Sequence, residues 1–180
     1  MPPFLPFPLP IPPELVAALV ANPLNLDGYL GQTVETFCGK YGTVSDGINH
    51  CAHFVCHVLG LRIPGAALCS NVGDSTYTYA DRGKGFCVRV NQVFNSCQNR
   101  AFWDGQPATG TCLIIATIEA NIESRSPLTI GQMSRKHIGF LIGDQVYHYS
   151  NTQDQVIKQP ASEFRNHYGA STILLRCDLP

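Results

Sequence analysis

A chain of 180 residues, 44% hydrophobic and only 14% charged, is long enough to bury a sizeable core and is read as one folded domain behind a short arm. Its formal net charge of -1 gives no electrostatic attraction to a polyanion, so nucleic acid is not an expected partner. The opening MPPFLPFPLPIPP is apolar, but it lacks a cationic n-region and its prolines bar a helical h-region, so neither a signal peptide nor a membrane span is expected.

Residues 1–13 are expected to form an extended, polyproline-like arm that packs on the domain or docks on another protein. After it, PELVAALVAN reads as a helix, with Pro13 in the first turn and Leu15, Val16, Leu19 and Val20 at three- and four-residue spacing. A second helix is predicted with Asn25 as its cap and Tyr29, Leu30, Val34, Phe37 and Cys38 as its apolar stripe, ending before Gly39 and Gly42. In NHCAHFVCHVLG, Asn49 is placed as N-cap and Gly60 as C-terminal stop of a third helix. Stepping 100° per residue puts Cys51, Phe54, Val55, Val58 and Leu59 on one arc, facing inward, and leaves His53, Cys56 and His57 on the opposite, solvated side.

Residues 64–110 give a weak pattern, with one short element at CVRVNQVF. From Thr111, TCLIIATIEA reads as a buried strand, and KHIGFLI and QVYHYSN read as a hairpin around Gly143-Asp144. A helix over SEFRNHY and a last strand, STILLRC, complete a run of helices followed by strands, which is an α+β order.

A thiol attacks a carbonyl as its thiolate, and the partial positive charge at a helix start favours that form. Cys51 holds this position, and the backbone N–H groups there can also stabilise an oxyanion. The hairpin supplies the base. With Gly143 and Asp144 as the turn, Ile142 faces Gln145 and Gly139 faces His148, so that His137 and His148 share a face as diagonal neighbours. Glycine opposite His148 leaves room for its ring. A Cys51–His137–His148 relay follows, in which His137 takes the thiol proton and His148 orients it.

The cluster His50, His53, Cys56 and His57 has metal-ligand residue types, but its side chains point over a wide arc of the outer helix face and it is read as a solvated face; no metal and no cofactor are expected. The eight cysteines contain no CxxC pair. Some disulfides among Cys38, Cys69, Cys87, Cys97, Cys112 and Cys177 are compatible with an oxidising compartment; otherwise these are small apolar packing residues.

A cysteine at a helix start, then His-Ile-Gly-Phe-Leu-Ile-Gly, then Val-Tyr-His-Tyr-Ser resembles the NlpC-like cell-wall cysteine peptidases, a branch of the papain-like superfamily, over residues 36 to 151. The resemblance implies a papain-like α+β fold over residues 14–180, with N-terminal helices on an antiparallel sheet. It implies hydrolysis of peptide amide bonds in peptidoglycan, His148 as the third polar residue, and Tyr41 as a tyrosine lining the substrate site. That family has an acidic residue before the cysteine and Ser-Gly after it; here His50 and Ala52-His53 stand there, which bears on substrate preference. Without an export signal, such an enzyme resembles first an amidase effector injected by a type VI secretion machine, a toxin acting in the periplasm or wall of a target cell, and second a phage lysis enzyme. An injected effector would imply an immunity protein as inhibitor and a secretion-machinery contact through the proline-rich arm. Asn-His-Cys-Ala-His-Phe-Val also resembles a segment of lecithin:retinol acyltransferase-like enzymes, which place the histidines before the cysteine, so an acyltransferase or thioesterase is the alternative. A non-enzymatic binding module on the same scaffold is the other.

Overall fold

The computed structural model of the chain describes residues 24–38, 50–61, 63 and 87–180. The proline-rich arm, the helix expected over PELVAALVAN, Tyr41, Asn49 and Cys69 lie outside the described residues. Within them the chain is α+β. Eight strands are described: β1 (Ala101–Phe102), β2 (Ala108–Ile118), β3 (Ile122–Arg125), β4 (Leu128–Ile130), β5 (His137–Gly143), β6 (Gln145–Ser150), β7 (Gln155–Pro160) and β8 (Thr172–Cys177). The helices are α1 (Val34–Cys38), α2 (Cys51–Leu59), α3 (Val90–Ser96) and α4 (Ala161–Phe164). No helix among the described residues is long and apolar enough to cross a membrane.

Six strands form an antiparallel sheet in the order β1-β8-β2-β5-β6-β7, while β3 and β4 make a separate ribbon. Alternation along the strands sorts side chains onto two faces. Leu113, Ile115, Ile138, Phe140, Tyr147, Tyr149 and Leu175 share a core with Phe54 and Val55 of α2 and Val93 and Phe94 of α3. On the other face, Ile114, Ala116, Leu141, Val146 and Leu174 pack with Ala161 and Phe164 of α4.

The hairpin register is the one the turn predicts: Ile142 pairs with Gln145, Leu141 with Val146 and Phe140 with Tyr147. Gly143 has φ 59°, a left-handed conformation that glycine adopts without a Cβ penalty. The outer edge of β7 is covered by the chain before α1, where Gly31 N–H donates to Val156 O and Val156 N–H to Gln32 O, each at 2.9 Å. An edge strand with its backbone groups satisfied is protected from pairing with another chain.

Four expectations are corrected. The helix read from Asn25 to Cys38 is a 3-10 turn over Leu26–Tyr29 followed by α1, because Gly31 turns the chain at φ 77°; Asn25 makes no side-chain cap bond. The residue immediately before α2 is His50, again without a side-chain cap bond, although Gly60 ends the helix in a left-handed conformation as expected. SEFRNHY supplies only the short α4, while the short element read at CVRVNQVF is α3, starting at Val90. His53, Cys56 and His57 are not on a solvated face: His53 is 1% exposed, Cys56 fully buried and His57 half-buried. Phe37 of α1 packs edge-on against His53 and His57, so α2 is enclosed on the side away from the sheet as well.

Candidate active site

Burial and a backbone bond to the end of β6 place Cys51. It is the first residue of α2 and fully buried. The N–H of His50 donates to Asn151 Oδ1 at 3.2 Å, which fixes the start of the helix beside the end of β6. In the antiparallel hairpin that end of β6 lies next to the start of β5, and His137 is the first residue of β5. Cys51 is thus carried to the end of the sheet where the two histidines stand.

Strand parity puts His137 and His148 on the face opposite the body of α2, on the α4 side. His137 Nε2 and His148 Nδ1 are 2.8 Å apart, with rings edge-on at 83°. Both rings pack on Phe164, at 5.5 and 5.2 Å between centroids. Among the described residues, Nδ1 of His137 is buried and has no hydrogen-bond partner. Gly139 lets the pair form: a Cβ there would stand 3.0 Å from His148 Cβ and 2.6 Å from Tyr147 O.

Burial, then His148 and then His167, hold His137 well below the ordinary imidazole value. Burial likewise lowers His148 to about 4, against the backbone of Tyr149 and the Gln159 side chain, which favour its charged form. The Gln159 amide lies near without closing a hydrogen bond, since Nε2 of His148 has no such partner among the described residues. Both histidines are therefore neutral at pH 7. One proton lies between Nε2 of His137 and Nδ1 of His148. If His137 holds it, its Nδ1 carries the lone pair of a base.

Two residues of the site carried no signal in the sequence. His167 stacks on His137 at 4.1 Å and 19°, and Tyr168 packs edge-on against His167 at 4.8 Å. Burial and then the negative charge that Cys51 can carry push the Tyr168 phenol up, against the lowering effect of Arg135. Only their place on the loop after a short helix would have marked them, and a loop position has no periodicity to read.

The loop into β5 is held by Asn121, whose Nδ2 donates to Thr117 Oγ1 at 3.0 Å and to Ser134 O at 2.7 Å. That loop borders a cavity of about 300 Å³ lined by Arg89, Gln92, Arg135, Lys136 and Tyr168 among others. Among the described residues, its charged lining residues are all cationic. Lys136 is held below the ordinary ammonium value by burial and by Arg89. Comparison of the chain with protein-family models, with curated proteins and with solved structures returned no match.

Of the residues singled out from sequence, His137 and His148 meet, and Cys51 comes to their end of the sheet; Tyr41 is outside the described residues. Cys56 has a different character. A hydrogen bond with Cys87 and then burial push its thiol far up, so it is a packing thiol that holds its proton.

Proposed function

We propose that this chain is a cysteine hydrolase of the NlpC-like, papain-like type that cleaves peptide amide bonds in peptidoglycan. The observation that carries the reading is the 2.8 Å His137–His148 contact, which leaves a buried Nδ1 without a hydrogen-bond partner among the described residues, at the sheet end where Cys51 opens a helix. In the reaction His137 Nδ1 takes the Cys51 proton, and the sulfur attacks the substrate carbonyl. The N–H groups of the first turn of α2 offer hydrogen bonds to the oxygen that gains charge. His137 then returns the proton to the leaving amine as the C–N bond breaks, leaving a thioester on Cys51. Water, deprotonated by His137, cleaves the thioester and restores the thiol. His148 accepts from His137 Nε2–H throughout and stabilises the imidazolium that forms transiently.

The cationic cavity supports a carboxylate-bearing peptide as substrate, because Arg89, Arg135 and Lys136 can pair with the free carboxylates of a peptidoglycan stem. The test is mass spectrometry of peptidoglycan fragments after incubation with the wild type and with Cys51→Ala. New peptide termini made by the wild type alone support the reading and identify the bond. No cleavage by either protein, in reducing and in oxidising buffer, overturns it.

A further inference from the structure

Away from the reacting groups, α1 and α2 bring together a second set of side chains. One ligand atom from each of Cys38, His53 and His57 lies within 4.8 Å of the others. Cys38 and His53 are buried and His57 is half-buried. His53 and His57 are one helical turn apart, a spacing that points two imidazoles to one side of a helix. The rings sit 4.8 Å apart at 63°.

The second observation concerns His53 itself. Its Nδ1 faces Nδ1 of His50 at 3.4 Å, whereas its Nε2 is buried with no hydrogen-bond partner among the described residues. A ring 1% exposed with one nitrogen unsatisfied is costly unless something occupies that nitrogen. A cation does so, and it makes the His50–His53 contact the outer-shell bond that a ligating histidine makes with its other nitrogen.

We infer that Cys38, His53 and His57 form a binding site for one divalent zinc-class cation that clips α1 to α2. Two imidazoles and a thiolate are the donor set of a borderline-soft, tetrahedral ion. Ideal Zn–S and Zn–N distances put ligand atoms about 3.3–3.6 Å apart, so the three must close by about 1 Å, within the reach of side-chain rotation. The fourth position takes water or a further side chain. Binding releases the Cys38 proton and leaves the sulfur as thiolate, so affinity rises with pH. The helical wheel sets positions 53 and 57 across α2 from Cys51, which gives the ion a structural role in steadying the helix that carries the sulfur.

The experiment is a Co²⁺ titration of the full chain in a phosphine reductant, read by the sulfur-to-cobalt charge-transfer absorption and competed with Zn²⁺. The wild type and Cys51→Ala are expected to bind a single equivalent with that absorption. Cys38→Ser should lose the absorption, and His57→Gln should bind at least about tenfold more weakly. Alkylation of the wild type, mapped by mass spectrometry, gives a readout free of folding effects: Zn²⁺ should protect Cys38 relative to chelator. Absence of the absorption in the wild type, its retention in Cys38→Ser, or no protection of Cys38 would each overturn the assignment.

Discussion

Replacing Gly139 with alanine tests the histidine pair without touching either ring. The new Cβ would meet Tyr147 O at 2.6 Å, Val146 Cγ1 at 2.9 Å and His148 Cβ at 3.0 Å. Ordinary contact begins at 3.4 Å, so the carbonyl must retreat by about 0.8 Å. The oxygen is backbone and the His148 atom is a Cβ, so rotamer changes cannot relieve them; β6 has to move off β5. Overpacking of this kind costs about 1–3 kcal/mol. The same movement carries His148 away from His137 and stretches their 2.8 Å contact to about 3.5 Å, beyond a useful hydrogen bond. Urea unfolding should show the stability loss, and alkylation of Cys51 at neutral pH should slow by up to about 100-fold, as for a misplaced catalytic group. A Gly139→Ala protein within about 0.5 kcal/mol of wild type and with unchanged alkylation would refute the account.

Acid provides a second check. The native His148 takes its proton at about 4, whereas the unfolded residue does so near 6.5. Stability is therefore full above about 6.5 and falls as pH drops from there through 4, by about 3 kcal/mol from this group. Burial of His137 acts in the same direction. Urea midpoints between pH 7 and pH 4 should fall more for the wild type than for His148→Gln, and equal slopes would count against the buried neutral pair. Alkylation of Cys51 in His137→Ala should rise only near the ordinary thiol value of about 8.5, while the wild type reacts at lower pH; superimposable profiles would remove His137 as base. Asn121→Ala strips the loop before β5 of its bonds to Ser134 O and Thr117 Oγ1 and should cost about 1–3 kcal/mol, visible in thermal unfolding as a lower midpoint. An unchanged midpoint would mean that the loop is held by other contacts.

The hairpin was legible because its turn is two residues long and its strands alternate. Gly143-Asp144 pins the register, and a pinned register decides which face both histidines occupy. Gly60 likewise stopped α2 where expected. The strands β3 and β4 were missed because they are only four and three residues long, and β7 because it ends at Pro160 with Lys158 inside it, so local pattern alone resembles a loop. Tertiary neighbours also overrode the helical wheel. The histidine side of α2 looks polar in isolation, but Phe37 and the rest of α1 cover it. His167 and Tyr168 join the site through the packing of α4, which no spacing in the chain announces.

The last strand described is not at the edge of the sheet. β8 lies between β1 and β2, pairing Ala101 with Arg176 on one side and Leu113 with Cys177 on the other. During synthesis the ribosome therefore releases β2 and β5 well before the neighbour that β2 needs. Contacts so distant along the chain form slowly. Until residues 172–177 emerge, β2 presents an open, apolar flank, Leu113 to Ala116, to any strand within reach. Yield of folded protein should accordingly depend on how fast residues 172–177 follow β2 out of the ribosome, and nascent chains stalled short of Thr172 are the species most exposed to aggregation.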